Sequence, residues 1–238
     1  MATIRIGMIV PSLNTIAEDD FRRCLPADYA AHVHRVRLRR EPGKVTPADL
    51  QRTYTEAEEA CRTVADLRPA AIAYNCTGVS VADGEGSDRR LAEEMTEAAG
   101  IPVTNTMLAI KQALRALGVR SIVHVCPFEG DSSELERNSL AEDDLEIVAS
   151  VGLGFTDARK VAQLTPQEIA GIARQKDDGR ADALLLSCAN SRAFEAVETI
   201  EQQLGKPVVT SNQAMLWAIM RLAGWKDVVP GGGRLMRL

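Results

Sequence analysis

The sequence predicts an α/β protein made of two parallel-sheet halves. Strand-like and helix-like patterns alternate along the whole chain, which is the signature of a parallel sheet carrying helices on its faces. The order of these patterns also repeats once. Ile6-Gly7-Met8-Ile9-Val10-Pro11 corresponds to Ile122-Val123-His124-Val125-Cys126-Pro127. Gly100-Ile101-Pro102-Val103 leads through a helical stretch to Leu117-Gly118, as Gly205-Lys206-Pro207-Val208 does to Ala223-Gly224; the matched prolines are 105 positions apart and the matched terminal glycines 106. Between these landmarks two apolar runs end in cysteine, Ala70–Cys76 and Ala183–Cys188, with the cysteines 112 positions apart. Several motifs recurring in the same order at similar offsets indicate a duplicated unit.

In the first half, strands are expected near 4–10, 31–38, 70–75 and 101–103, each a short apolar or alternating run bounded by turn residues. Helices are expected near 14–24, 47–67, 87–98 and 106–117. The second of these is the clearest, because Leu50, Tyr54, Ala57, Cys61 and Val64 fall on one face, which makes Cys61 a core residue. The second half repeats the order, with strands near 121–126, 145–151, 182–187 and 207–209 and helices near 131–140, 165–176, 191–204 and 212–223. Phe194, Val197, Glu201 and Leu204 stripe the third of these helices, with the acid near the edge of the stripe. The fourth carries Met215, Leu216, Trp217, Ile219, Met220 and Leu222, apolar almost all round, so it should be buried between the halves. Asp83-Gly84-Glu85-Gly86-Ser87 reads as a mobile loop. Gly231-Gly232-Gly233 reads as a flexible tail. The domains implied are residues 1–110, with 210–238 packing back on them, and residues 111–209.

At 238 residues, 45% hydrophobic and 26% charged, the chain has the composition of a soluble globular protein, and no apolar stretch reaches membrane-spanning length. Its start runs directly into a strand pattern without the features of a secretory signal, which points to the cytoplasm. Five cysteines without metal-type spacing fit reduced thiols, and neither zinc nor a disulfide framework is expected. A net charge of −5 argues against nucleic-acid binding. The cluster Arg35, Arg37, Arg39 and Arg40 alternates with Val36 and Leu38, as on the solvated face of a strand.

Ligands of open parallel sheets bind at the carboxyl ends of the strands, where both Cys76 and Cys188 fall. A cysteine on a buried strand is usually packing. Two at equivalent strand ends are better explained as a pair facing one cleft, with a small substrate between them. A helix amino terminus after each would favour thiolate, making one sulfur a base or nucleophile. The same N–H groups suit a substrate carboxylate. Ser12 and Asn14, in the turn after Pro11, and Thr77, Gly78, Ala189 and Asn190, beside the two thiols, are the candidate substrate contacts. Cys126 is assigned to lining or core and Cys24 to a helix end. His32, His34 and His124 lack metal-ligand spacing, and no nucleotide fingerprint or nucleophile elbow appears in its required context.

Gly7–Thr15, the Asn75-Cys76-Thr77-Gly78 turn, Leu186-Ser187-Cys188-Ala189-Asn190 and Ser211–Trp217 resemble the Asp/Glu racemase superfamily, in its branch of maleate cis–trans isomerases and arylmalonate decarboxylases. The resemblance implies two Rossmann-like domains with pseudo-two-fold symmetry, a cofactor-independent site in the cleft between them, no bound metal, and a homodimer. By position Cys76 would attack a substrate double bond, Cys188 would exchange a proton, and Asn14 would bind a carboxylate. Two departures bear on the substrate. Phe128 stands where the isomerases typically carry tyrosine, and Ala158 where they commonly carry asparagine.

The expected function is therefore cis–trans isomerisation or racemisation of a small mono- or dicarboxylate. Decarboxylation of a malonate-type acid, with Cys188 as proton donor, is the alternative, although decarboxylases of this branch have glycine at the position of Cys76. A non-catalytic carboxylate-binding protein is the third reading, since fold alone does not establish chemistry.

Overall fold

Each half of the chain builds an all-parallel four-stranded sheet, and the computed structural model describes residues 3–38 and 46–238. The first sheet contains β1 (Ile4–Pro11), β2 (Tyr29–Val36), β3 (Ala71–Tyr74) and β4 (Val103–Asn105), in the order β2-β1-β3-β4. The second contains β5 (Ser121–Cys126), β6 (Glu146–Gly152), β7 (Ala183–Leu186) and β8 (Val208–Thr210), in the order β6-β5-β7-β8. The inner strands β3, β5 and β7 are buried along their full length, and β1 along nearly all of its own, as their continuous apolar runs require. The edge strands β2 and β6 are only partly covered, and both sequences mix polar with apolar residues. Of the basic cluster on the first edge, Arg39 and Arg40 lie outside the described residues.

The helices are α1 (Ala17–Cys24), α2 (Pro47–Thr55), α3 (Ala57–Ala65), α4 (Thr77–Ser80), α5 (Ser87–Ala99), α6 (Thr106–Ala116), α7 (Asp131–Ala141), α8 (Ala158–Ala162), α9 (Pro166–Lys176), α10 (Ala193–Leu204) and α11 (Ser211–Leu222). The single helix expected over 47–67 is two, broken at Glu56, which ends α2 and starts α3. The break has a packing reason. Ala60, Cys61 and Val64 of α3 bury toward the first sheet and α5, whereas α2 turns toward α4. A straight rod could not cover both. The short helix α4 supplies the helix start expected after Cys76, whereas α8 was not expected, because a single turn has no periodicity to read. The Asp83–Ser87 loop is tied down, with the Arg90 guanidinium donating to both the backbone and the carboxylate of Asp83 and Ser87 Oγ donating to the carbonyl of Ser80 at 2.8 Å.

The halves meet along α6 and α11, each the helix that follows its own sheet's last strand. Every residue from Ser211 to Met220 is buried, so the nearly all-apolar surface of α11 is accounted for. One apolar core runs through both halves, joining Ile6, Met8 and Ile110 to Val123, Leu185 and Leu216. We propose that the chain divides between the two sheets. The boundary expected at 110/111 falls inside α6, and the contacts of 210–238 are shared: α11 packs on α6, while a terminal 3₁₀ turn (Leu235–Arg237) packs on α11 and pairs with α10 through Arg237 and Glu198 at 3.1 Å.

The glycine tail is built into the core rather than loose. Gln213 Nε2 donates to the carbonyl of Gly232 at 2.7 Å, and Glu201, buried instead of at a stripe edge, accepts from the backbone N–H groups of Val208 at 3.1 Å and Arg234 at 2.9 Å. Gly233 has φ of +68°, and a Cβ there would lie 2.4 Å from Val197 Cγ1. Gly233→Ala should therefore destabilise the protein by about 2 kcal/mol, through backbone strain and overpacking together. A thermal or denaturant melt of the variant against the parent checks this.

Candidate active site

Both sheets end at one cavity. β3 stops at Tyr74 and β7 at Leu186, and in each case the chain continues for two residues to a cysteine. Cys76 and Cys188 thereby line a single cavity of about 100 Å³ between the halves, room for a substrate of a few carbon atoms. Each thiol is half-buried and free. Cys76 occupies the position before α4, where the backbone N–H groups of Gly78 and Val79 point at its sulfur. Cys188 repeats the device in the other half, its Sγ accepting from the N–H of Asn190 at 3.4 Å.

These donors do not make resting thiolates. Burial pushes Cys76 up to about 11, against the lowering by Val79 and Gly78, and the Glu136 carboxylate adds to the rise. Burial likewise pushes Cys188 up to about 12, with Glu136 and Cys76 raising it further and Asn190 opposing. The N–H groups favour the anion, as expected from sequence, but removing the sulfur from water outweighs one or two such contacts. Both sulfurs are protonated at neutral pH. Cys76, with two N–H groups directed at it, is the easier of the two to ionise.

The cavity walls are held by hydrogen bonds that cross between the halves. Ser211 Oγ accepts from the Cys188 N–H at 3.0 Å and pairs with the Thr77 hydroxyl at 3.0 Å, so one side chain connects the two thiol turns. Asn212 Nδ2 donates to Asp20 at 2.7 Å and to the carbonyl of Ala189 at 3.1 Å, while its Oδ1 accepts from Asn75 at 3.1 Å. Asn190 reaches into the opposite half, where its Oδ1 accepts from the Thr15 N–H at 2.9 Å.

Of the substrate contacts expected from sequence, Asn14, Thr77, Gly78, Phe128, Ala189 and Asn190 all line the cavity. At Gly78 the chain passes close to Leu50, and a Cβ there would lie 3.2 Å from that side chain. Asn14 is partly committed. Its Oδ1 accepts from the N–H groups of Ile16 and Ala17 at 3.0 Å, and its Nδ2 donates to the Ala189 carbonyl at 2.9 Å. Ser12 is a correction: it is exposed and outside the cavity wall, and its hydroxyl accepts from the Leu38 N–H at 3.3 Å. Arg35 does more than solvate a strand face, since it donates to the carbonyl of Asn14 at 2.7 Å and pairs with Glu18. Cys126, buried at the end of β5, is both core and lining.

Sequence reasoning missed Glu136, Ser187, Ser211 and Asn212 as site residues. A signal for Glu136 existed in the duplication. Pro11 and Pro127 are 116 positions apart, as are Asp20 and Glu136, two acids on corresponding helices, and both are buried. His124, Cys126 and Glu136 also bring one potential ligand atom each within 4.8 Å of one another. His124 Nε2 is 3.2 Å from Glu136 and its Nδ1 3.0 Å from Ser150 Oγ, and Ser187 Oγ donates to the same Glu136 oxygen. The three donors therefore already form a satisfied hydrogen-bonded cluster, which is how buried polar groups avoid a desolvation penalty.

Comparison with known proteins gives both the family and the fold. A family model described as arylmalonate decarboxylase matches residues 34–236. The chain is 30% identical over 237 residues to an arylmalonate decarboxylase of Bordetella bronchiseptica, covering 98% of this chain and 97% of that protein. It is 28% identical over 245 residues to a maleate isomerase of Pseudomonas putida, covering 98% and 96%. Among solved structures, the maleate isomerase Iso of Pseudomonas putida S16 superposes with a TM-score of 0.92 at 26% identity over 98% of each chain. A cysteine-to-serine mutant of Nocardia farcinica maleate cis-trans isomerase, with a covalently bound succinylcysteine intermediate, does so with a TM-score of 0.90 at 26% identity over 99% of each.

Two outcomes test the site. Ser211→Ala should cost about 1–3 kcal/mol in a denaturant melt, because it leaves the Cys188 N–H without its acceptor. Iodoacetamide alkylation at Cys76, followed by peptide mass spectrometry, should accelerate roughly tenfold per pH unit through the neutral and mildly alkaline range, since only the thiolate reacts and its pKa lies above that range. A rate that levels off near neutrality would contradict the raised pKa.

Proposed function

Because the chain belongs to the arylmalonate decarboxylase family, we propose that it is a cofactor-independent isomerase of a small carboxylate in which Cys76 and Cys188 carry the chemistry. The observation that supports this most is the presence of both thiols, one from each half, in the wall of one small cavity. The succinylcysteine intermediate of the Nocardia farcinica relative supports a covalent route through one of them.

In the proposed reaction the Cys76 thiol gives up its proton to solvent, its sulfur forms a bond to one carbon of the substrate double bond, and the π pair moves to the neighbouring carbon, where the adjoining carboxylate spreads the charge. Cys188 delivers a proton to that carbon. Rotation about the new single bond follows. Cys188 then takes a proton back, the electron pair re-forms the double bond, and the carbon–sulfur bond breaks to release Cys76. With the thiol near 11, reaching the reactive thiolate at neutral pH costs on the order of 5 kcal/mol. The N–H groups of Gly78 and Val79 reduce that cost, and in this reading they also hold charge on sulfur as it leaves. Asn14 has a second amide N–H beyond the one bound to Ala189, and it is the proposed contact for a substrate carboxylate.

Proton exchange at a single carbon by the same two thiols would give racemisation, which lies within this reading. Decarboxylation with Cys188 as sole proton donor is the second reading, favoured by the match to the Bordetella bronchiseptica relative. The Cys76 thiol opposite Cys188 weighs against it. Action in the cytoplasm as a homodimer belongs to the proposal as well, and analytical ultracentrifugation checks the assembly.

Incubation with a panel of unsaturated and α-substituted small carboxylates in D₂O, followed by proton NMR, should reveal geometric isomerisation or deuterium exchange without loss of carbon dioxide. Cys76→Ala and Cys188→Ala should each lower turnover of the responsive substrate roughly a thousandfold or more. Carbon dioxide release from an arylmalonate that survives Cys76→Ala would instead establish the decarboxylase. Ligand binding without turnover across the panel would establish a binding protein.

A further inference from the structure

The isomerase reading leaves a buried carboxylate unused. Glu136 projects from α7 with only 6% of its side chain exposed, and it forms part of the wall that also carries Cys76 and Cys188. Burying a carboxylate is unfavourable unless its charge is compensated. Its hydrogen-bond partners are the Ser187 hydroxyl and His124 Nε2, the latter at 3.2 Å.

The duplication supplies an internal control. Asp20, the matching acid of the first half, is bound to Arg23 at 2.8 Å and to Asn212 at 2.7 Å, and it lies outside the cavity wall. There the carboxylate is a neutralised structural tie. In the second half the side chain is one methylene longer, lacks the arginine, and reaches the cavity. Ser187 and His124 both meet Oε2, so the acceptor capacity of the carboxylate is not exhausted by them.

This arrangement has consequences for what can bind. Among the described residues of the wall, the groups that can donate to a substrate's first carboxylate are N–H and hydroxyl groups. A second carboxylate directed toward Glu136 would set acceptor oxygens against acceptor oxygens in a poorly solvated space, with no hydrogen to share between them. A hydroxyl or amine there would instead meet an acceptor.

Resting on the reading of this cavity as the substrate site, we propose that Glu136 is its specificity-determining residue: it accepts a hydrogen bond from a donor group on a small monocarboxylate and excludes the second carboxylate of a dicarboxylate. Specificity here is a difference of affinities, built as much from repulsion of the wrong ligand as from attraction of the right one. Phe128 and Ala158, which also line the wall, offer no side-chain donor to a second carboxylate.

Calorimetric titration of the full-length protein with maleate, γ-hydroxybutyrate and γ-aminobutyrate tests this, the last two separating a hydroxyl donor from an ammonium. The parent should bind one donor-bearing probe at least about tenfold more tightly than maleate. Glu136→Gln, which keeps the shape and an acceptor for Ser187, should bind maleate roughly tenfold more tightly than the parent does and lose part of its affinity for the preferred probe. Glu136→Leu should shift the preference further. If that variant fails to fold, Glu136→Gln carries the test. An unchanged preference in a folded Glu136→Gln protein overturns the proposal, as does failure of both donor-bearing probes to bind the parent. Cys76→Ala separates this inference from the isomerase reading, since it should abolish turnover while keeping the binding preference. Reversal by Glu136→Gln in a protein that turns over no carboxylate would retain the role of Glu136 and remove the isomerase.

Discussion

The site depends on one buried amide. Asn212, at the start of α11, holds Asp20 of α1, Asn75 beside Cys76 and Ala189 beside Cys188 with a single side chain whose donors and acceptor are all used. Thr106 extends the chain by donating to Asn75 Oδ1 at 2.9 Å. A buried polar network of this kind is stable only when each member is satisfied, and that condition admits few relative positions of the halves. The apolar contact of α6 with α11 presses the halves together. The network decides where they stop, and so how the two thiols face each other.

That placement creates the chemical tension of the cavity. Enclosing a small substrate between two sheets removes water from both sulfurs, which raises their pKa values and makes the nucleophile harder to form. The folded chain offsets this only in part, by turning backbone N–H groups toward each sulfur. Neutral resting thiols have a counterpart advantage, because they can donate protons and they do not repel an incoming anion. A pair of exposed thiolates would do neither.

The duplication explains why the thiols are equivalent and also why the cavity is not symmetric. Both halves place a cysteine two residues beyond the third strand of the sheet. Elsewhere the copies have diverged: Val10 corresponds to Cys126, and Asp20, neutralised by Arg23, corresponds to Glu136 beside His124. The second half therefore contributes a carboxylate to the cavity wall, and its counterpart in the first half lies outside that wall. A substrate with two different ends fits such a cavity in one orientation.

Much of this was legible in the amino-acid order. Local patterns determine strands and helices through apolar periodicity, the repeat determines that there are two like sheets, and the strand-end rule anticipates that Cys76 and Cys188 line one cavity. The break at Glu56 and the seating of Gly233 were not legible, because each arises from a surface contributed by another element. The same holds for the thiols' protonation and for Ser12, whose neighbours in sequence line the cavity while its own side chain turns away. Glu136 reads in sequence as an ordinary polar residue of a helix, and Ser211 and Asn212 as part of a family motif without a stated role. Only the closure of one half on the other, which carries them out of water and beside two sulfurs, gives them their chemical roles, since burial and partners are properties of the assembled chain and not of any segment of it.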